Sequence, residues 1–273
     1  LEPWKKKYVK KKLKNHKLIF IDSELSMRNV SKFKDSDGIV VFIYSQINKE
    51  VLMKLNKLKF ICTMSTGYNH IDIEECKKKG IRVSNVPQYG MNTVAEHTFG
   101  LILSLSKKIP ESVIRTKGDD FSLKGLEGFD LKGKTLGVIG AGNIGQHVIR
   151  IAKGFDMKVI AVNNSQDKKL AKELGFSYVS LDYLLKNSDI ITLHVPLLPS
   201  TKHMINLNNV KKIKMGTYII NTARGGLIDT RALIYGLDNG ILKGAGLDVL
   251  EYEDDLREEG HMLREKALSN NEM

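Results

Sequence analysis

The chain has two cysteines, one tryptophan and five prolines in 273 residues. Cys62 and Cys76 are too few for a disulfide framework. Neither stands near a histidine or a second cysteine at zinc-ligand spacing, so both read as reduced thiols and no metal site is expected. No run approaches the roughly 18 uninterrupted apolar residues of a membrane span, and the first residues are basic and helical rather than a charged stub followed by an apolar signal core. The reading that remains is a cytoplasmic protein with no membrane partner.

Charge of one sign is in short supply only in the first third. Residues 1–90 hold 19 Lys/Arg against 9 Asp/Glu, and the rest hold 24 against 22, which together give the net charge of +12. In WKKKYVKKKLKNHK, the residues Trp4, Tyr8, Val9 and Leu13 recur at helical spacing, which predicts a helix with an apolar face and leaves the lysines as a solvated surface. No helix-turn-helix or RNA-binding pattern accompanies the lysines, so nucleic acid is not expected as a partner. A basic half does attract small anionic substrates.

Short apolar runs alternate with helical patterns along the chain: KLIFID, GIVVFIY, LKFICTM and IRVSNV first, then KTLGVIG, KVIAVN, DIITLHV, TYIINTA and GAGLDV. Such alternation predicts an α/β fold of parallel sheets covered by helices. Between the two series lies NTVAEHTFGLILSLSKKI, whose helical apolar spacing spans too many turns for a strand. The domain boundary is therefore expected near residue 90, with residues 1–90 as one domain and 91–273 as the other. The chain begins without methionine and stops inside a helical pattern, so a fragment is expected, with elements missing at both ends.

The stretch KTLGVIGAGNIGQHVIRIAKGFDMKVIAVNN joins strand, glycine-rich turn, helix and strand in about thirty residues, the frame a dinucleotide requires. Gly140 permits the tight turn, Gly142 lets backbone reach a pyrophosphate, and Gly145 lets helix and strand pack closely. The amides of Asn143 and Ile144 open the helix toward the phosphates. Asn163 stands at the end of the second strand where an acidic residue on the ribose is usual. An amide can bond a hydroxyl but does not repel a 2′-phosphate, and Lys168 and Lys169 follow, so NAD is preferred with NADP left open.

INTARGGLIDT places Arg224 directly after an apolar strand. Ligands gather at the carboxyl ends of parallel strands, where a guanidinium can fork onto a carboxylate and polarise an adjacent carbonyl. Pairing with Asp229 is the structural alternative.

STGYNHID, NVPQYGMNTVAEH, GVIGAGNIG, DIITLHVPLLPSTKHMI, INTARGGLIDTRAL and GAGLDVLEYE, in that order, resemble the successive motifs of the D-isomer-specific 2-hydroxyacid dehydrogenase family. The resemblance covers most of the chain. It implies a flavodoxin-like substrate domain, a Rossmann coenzyme domain with a doubly wound parallel sheet, and a homodimer held by the coenzyme domains. It implies that Arg224 is the catalytic arginine that grips a small 2-keto or 2-hydroxy acid, with the amides of Thr66 and Gly67 completing the carboxylate cradle and Tyr89 near the substrate. It places His194 and Pro196 on the adenosine side, Thr201 toward the pyrophosphate, Thr222 and Ala223 with the coenzyme, and Asp248 on the nicotinamide carboxamide. His97 and His203 read as structural.

Ketone reduction needs a proton for the developing alkoxide, and a histidine held by a carboxylate is a natural donor. VLEYEDDLREEGH crowds six acids ahead of His261. The resemblance makes Glu253 the catalytic carboxylate and Glu251 the weaker candidate. It puts the histidine in a Pro-His stretch that this chain does not contain, so His261 is left as a surface residue and the chain is expected to lack its acid. Glu258 and His261 have helical ligand spacing, but no second such pair accompanies them.

These readings point to hydride transfer between a nicotinamide coenzyme and a 2-keto acid/D-2-hydroxy acid pair. Tyr89 and the EYEDDL run resemble the D-lactate branch, which puts pyruvate/D-lactate first. The alternatives are glyoxylate or hydroxypyruvate as substrate, an NAD(H)-sensing relative akin to a transcriptional corepressor, and an inactive fragment of the enzyme.

Overall fold

The structure, a computed structural model, describes residues 2–253, and its chain divides after Gly90 into two compact units. In the first unit, β1 (Gly38–Val41), β2 (Phe60–Thr63) and β3 (Arg82–Ser84) form a parallel sheet in the order β1-β2-β3. The connections run through α2 (Lys49–Lys54) and α3 (Ile73–Lys78), and α1 (Pro3–Lys12) precedes the sheet. Helices of six residues are too short to hold themselves. Each is capped by a side chain, Asn48 accepting from the Val51 amide at 3.1 Å and Asp72 from the Glu75 amide at 2.9 Å. Each also buries one face, through Val51 and Leu52 or through Cys76, in a core with Ile47, Ile61 and Ile71.

One expectation fails in this unit. KLIFID forms no strand among the described residues, and Ile19 and Ile21 stay exposed because no neighbouring strand offers a ladder. The helix over residues 3–12 exists, but it buries no residue: Trp4 is 64% and Tyr8 57% exposed. Helical spacing marked which side chains share a face, and it did not show that the face is covered.

In the second unit, β4 (Thr135–Ile139), β5 (Lys158–Val162), β6 (Ser177–Tyr178), β7 (Ile190–Leu193), β8 (Thr217–Asn221) and β9 (Leu242–Leu247) form one parallel sheet in the order β6-β5-β4-β7-β8-β9. The order turns back between β4 and β7, the doubly wound arrangement of a Rossmann fold. Successive side chains of a strand point to opposite faces. Leu136, Val138, Tyr218 and Ile220 accordingly join one core, with Ala95, Phe99 and Ile102 of α4 (Met91–Ser106). Val148, Ile149 and Ala152 of α6 (Asn143–Gly154) complete that layer, α5 (Ile109–Lys117) having followed α4 in the chain. Ile139, Ile191, Leu193 and Ile219 join the other, with Leu184 and Leu185 of α8 (Leu181–Asn187) and Ala232 of α9 (Thr230–Asp238). Between α6 and α8, α7 (Lys168–Leu174) begins at Asp167, whose carboxylate caps its first amides. Burying each Leu or Ile contributes roughly 1.5–3 kcal/mol, so both faces of the sheet must be covered for it to persist.

Among the described residues no helix is long and apolar enough to cross a membrane, and no group of three or more His, Cys, Asp or Glu is placed to hold a metal.

Candidate active site

In the second unit the candidate residues follow the carboxyl ends of five strands. Gly140 comes after β4, Asn163 after β5, His194 after β7, Thr222 to Arg224 after β8 and Asp248 after β9. They line one edge of one sheet, at and beside the point where the strand order turns back.

The turn after β4 is built for close approach. Gly140 has φ +101°, a conformation that side chains rarely take, and a Cβ there would lie 2.7 Å from the His194 carbonyl oxygen. A Cβ on Gly145 would lie 2.0 Å from the Gly140 carbonyl oxygen. On Gly142 it would meet nothing within 4 Å, so the space over the start of α6 is open. Gly142 also brings no capping side chain to the first amides of that helix, Asn143 and Ile144.

Asn163 spends its amide on the walls of this site. Its Oδ1 accepts from the Ala141 amide at 3.2 Å, and its Nδ2 donates to the Ser165 carbonyl at 2.7 Å. Thr201 closes its own turn, its hydroxyl donating to the Pro196 carbonyl at 2.6 Å and accepting from the Leu198 amide at 2.8 Å. That hydroxyl is engaged in the turn.

His194 bonds Thr192 through Nε2 at 2.9 Å, while its Nδ1 is sealed from solvent without a hydrogen-bond partner among the described residues. Burial lowers its pKa to about 4. The unfolded chain then takes up the proton first, near the usual histidine value of about 6.5. The contribution to stability is complete above that value and is lost as pH falls toward 4, by about 3 kcal/mol. Thermal unfolding should show the loss between those pH values in the native protein and a smaller loss in His194→Gln; parallel curves would contradict this assignment.

The turn after β8 carries Arg224. Asn221 holds it from inside, its Oδ1 accepting from the Ala223 amide at 3.1 Å and its Nδ2 donating to the Arg224 carbonyl at 2.9 Å. Thr222 is pinned to α4 by a 3.0 Å hydroxyl–hydroxyl bond with Thr98. The Arg224 guanidinium is half-buried and donates to the Ala223 carbonyl at 2.7 Å, and no carboxylate pairs with it among the described residues. The pairing with Asp229 does not form: Asp229 caps α9 and binds Arg231 at 3.2 Å instead.

After β9, Asp248 lies 3.3 Å from Nε2 of His97 on α4. The two acids that follow differ. Glu251 has only 8% of its side chain exposed and accepts from His203 and from the amide and hydroxyl of Thr230. Among the described residues, Glu253 accepts from the Leu250 amide, at 3.2 Å. His261 and the acids from Asp254 onward lie outside the described residues.

In the first unit, the loop after β2 is fixed from both sides. Thr63, Ser65 and His70 form a buried chain of bonds, at 2.6 Å between the hydroxyls and 3.1 Å to the ring, and Ser65 donates to the Gly67 carbonyl at 2.7 Å. Thr66 donates to the Val86 carbonyl at 3.0 Å, and Asn85 donates to the Thr66 carbonyl at 2.8 Å. Tyr89 is 63% exposed.

Residues 99–269 match the family described as D-isomer specific 2-hydroxyacid dehydrogenase, NAD binding domain. A 2-hydroxyacid dehydrogenase homolog of Zymomonas mobilis is 40% identical over 249 residues, 90% of this chain and 75% of the relative. The chain belongs to the D-isomer-specific 2-hydroxyacid dehydrogenase family. An aromatic 2-oxoacid reductase of Clostridium sporogenes is 45% identical over 222 residues, 81% of this chain and 67% of the relative. The crystal structure of a D-lactate dehydrogenase from Aquifex aeolicus, complexed with NAD and lactic acid, superposes with TM-score 0.89 at 40% identity, covering 96% of this chain and 79% of that one.

As a D-2-hydroxyacid dehydrogenase, the protein is an oxidoreductase of 2-hydroxy acids, and its coenzyme is NAD. The glycine turn fits that coenzyme: the cradle between Gly140 and α6 is open where a pyrophosphate needs space and closed where a side chain would intrude. Two neighbours of the dehydrogenase site were read from the sequence only as structural. His97 and His203 each stand against an acid of the segment after β9, and no spacing pattern relates residues so far apart in the chain.

Proposed function

We propose that the protein reduces a 2-oxo acid to its D-2-hydroxy acid with NADH, pyruvate/D-lactate being the first pair. The observation that carries this reading is Arg224: a guanidinium on the turn after β8, fixed through its backbone by Asn221 and free of any described carboxylate. Its fork fits a carboxylate and an adjacent carbonyl oxygen together.

In this reading residues 1–90 are the substrate domain and 91–273 the coenzyme domain. Gly140, Gly142, Asn143, Ile144 and Gly145 hold the pyrophosphate, with Asn163, His194, Pro196 and Thr201 shaping the adenosine side. Thr222, Ala223 and Asp248 face the nicotinamide end. The amides of Thr66 and Gly67 receive the substrate carboxylate, and Tyr89 lies against the substrate. NADH supplies the hydride. Arg224 polarises the carbonyl and holds charge on its oxygen, and Glu253 orients the acid that protonates it.

A second reading, larger aromatic 2-oxo acids, is favoured by the 45% identity to the aromatic 2-oxoacid reductase and by the exposure of Tyr44, Tyr68 and Tyr89 in the unit assigned to substrate. NADH oxidation by the full-length protein with pyruvate, glyoxylate, hydroxypyruvate and phenylpyruvate tests both. The first reading expects the highest kcat/KM with pyruvate, and background rates with all four would end the enzyme reading in favour of a binding protein.

The homodimer belongs to the same proposal. Ile114 on α5 and Phe121 and Leu123 after it are 71%, 75% and 82% exposed, large apolar side chains that a second copy could cover. Ile114→Glu with Leu123→Glu should halve the mass seen by light scattering; an unchanged mass would place the interface elsewhere.

A further inference from the structure

We propose that Glu251 is a positioning residue that, clasped by His203 and Thr230, sets the Arg224 turn and the backbone leading to Glu253 for catalysis. The inference rests on the dehydrogenase reading and assigns a role to a carboxylate that the chemistry itself leaves unused.

One side chain joins three parts of the chain. Oε1 of Glu251 meets Nε2 of His203, and Oε2 accepts from the Thr230 amide at 3.0 Å and its hydroxyl at 2.8 Å. Thr230 opens α9 a few residues after Arg224. The His203 amide reaches back to the same turn, donating to the Gly226 carbonyl at 2.9 Å. Gly225, next to Arg224, lies flat on the Leu250–Glu251 backbone, so that a Cβ there would come 2.0 Å from the Leu250 carbonyl. The turn with the arginine and the strand end with the two acids therefore share a seam, and Glu251 closes it.

The clasp also holds backbone that would not stay in place unaided. His203 has φ +49° and Tyr252 φ +62°, both in the region L residues seldom adopt. Burial alone would raise the Glu251 carboxyl, but the bonds from His203 and Thr230 outweigh it and leave it below the usual value, consistent with an ionised clasp. Arg231 and Asp229 next to it neutralise one another, so they add no net charge to compete for the carboxylate. The glycine turn after β4 has no part in this seam, and the coenzyme-facing Thr222, Ala223 and Asp248 are held by Thr98, Asn221 and His97 rather than by Glu251, so coenzyme affinity and substrate handling should separate.

The experiment compares Glu251→Ala, Glu251→Gln and His203→Ala with wild type in the full-length enzyme, measuring KM and kcat for the 2-oxo acid and NADH affinity by fluorescence. The alanine variants should raise KM or lower kcat by about ten- to hundredfold in kcat/KM, with NADH affinity within about twofold. Glu251→Gln keeps an acceptor for Thr230 and should recover a large part of the loss. The double variant should be little worse than either single one. Wild-type kinetics in a folded Glu251→Ala would overturn the proposal. So would NADH affinity falling in parallel with kcat/KM, which would mark a merely structural clip. If Glu251→Ala does not fold, Glu251→Gln and His203→Ala decide by the same criteria. A wild-type protein without hydride transfer would instead sink the functional reading.

Discussion

Arg224→Gln in the full-length enzyme should lower kcat/KM for its 2-oxo acid by about three orders of magnitude and leave NADH affinity within about twofold. The size of the effect follows from two roles lost together: a charged fork on the substrate carboxylate, and a donor to the oxygen on which charge develops. Because both act after coenzyme has bound, and because Asn221 and Thr98 hold the coenzyme-facing Thr222 and Ala223 of the same turn, the coenzyme site should register little of the change. Arg224→Lys should recover only a small part, since an ammonium is a point charge and cannot fork. A loss smaller than tenfold, measured by steady-state kinetics, would show that the guanidinium does not touch the reacting atoms.

The second large effect is expected from a methyl group. Gly145→Ala places a Cβ 2.0 Å from the Gly140 carbonyl oxygen, a contact that neither backbone can keep. Strand β4 and helix α6 must move apart, which typically costs about 1–3 kcal/mol when a packed contact is forced. The turn they shape should then lose NADH affinity by at least about a hundredfold. Gly142→Ala is the control, because a Cβ there meets nothing within 4 Å. It should leave the melting temperature near wild type and weaken NADH alone, by filling the space a pyrophosphate needs. Titration of NADH fluorescence alongside thermal unfolding separates the two variants; equal behaviour would mean that the glycines serve packing only.

The coenzyme half of the fold was legible because most of its strands are buried on both faces and so appear as largely apolar runs. TLGVI, KVIAV, IITL and TYIIN all became strands. The glycine turn was legible for a related reason, since each glycine answers a separate steric demand at fixed spacing along one segment. The first unit was harder to read. KLIFID has the composition of a strand, but a strand needs a ladder partner, which composition does not supply. Trp4 and Tyr8 have helical spacing, and spacing is silent about what covers a face. The clasp at Glu251 was not legible at all, because it joins residues 203, 230 and 251 through tertiary structure, and Glu251 and Glu253 look alike in a run of acids. Their separation comes from burial and partners: among the described residues one acid lies in a seam among donors, and the other accepts from one amide.

The measurement closest to the central claim is the handedness of the product. Full-length protein incubated with NADH and pyruvate should yield lactate that a D-lactate-specific assay consumes completely, with NADH oxidised in equal amount. L-lactate as product, or no lactate from pyruvate while the protein binds NADH tightly, would contradict the account.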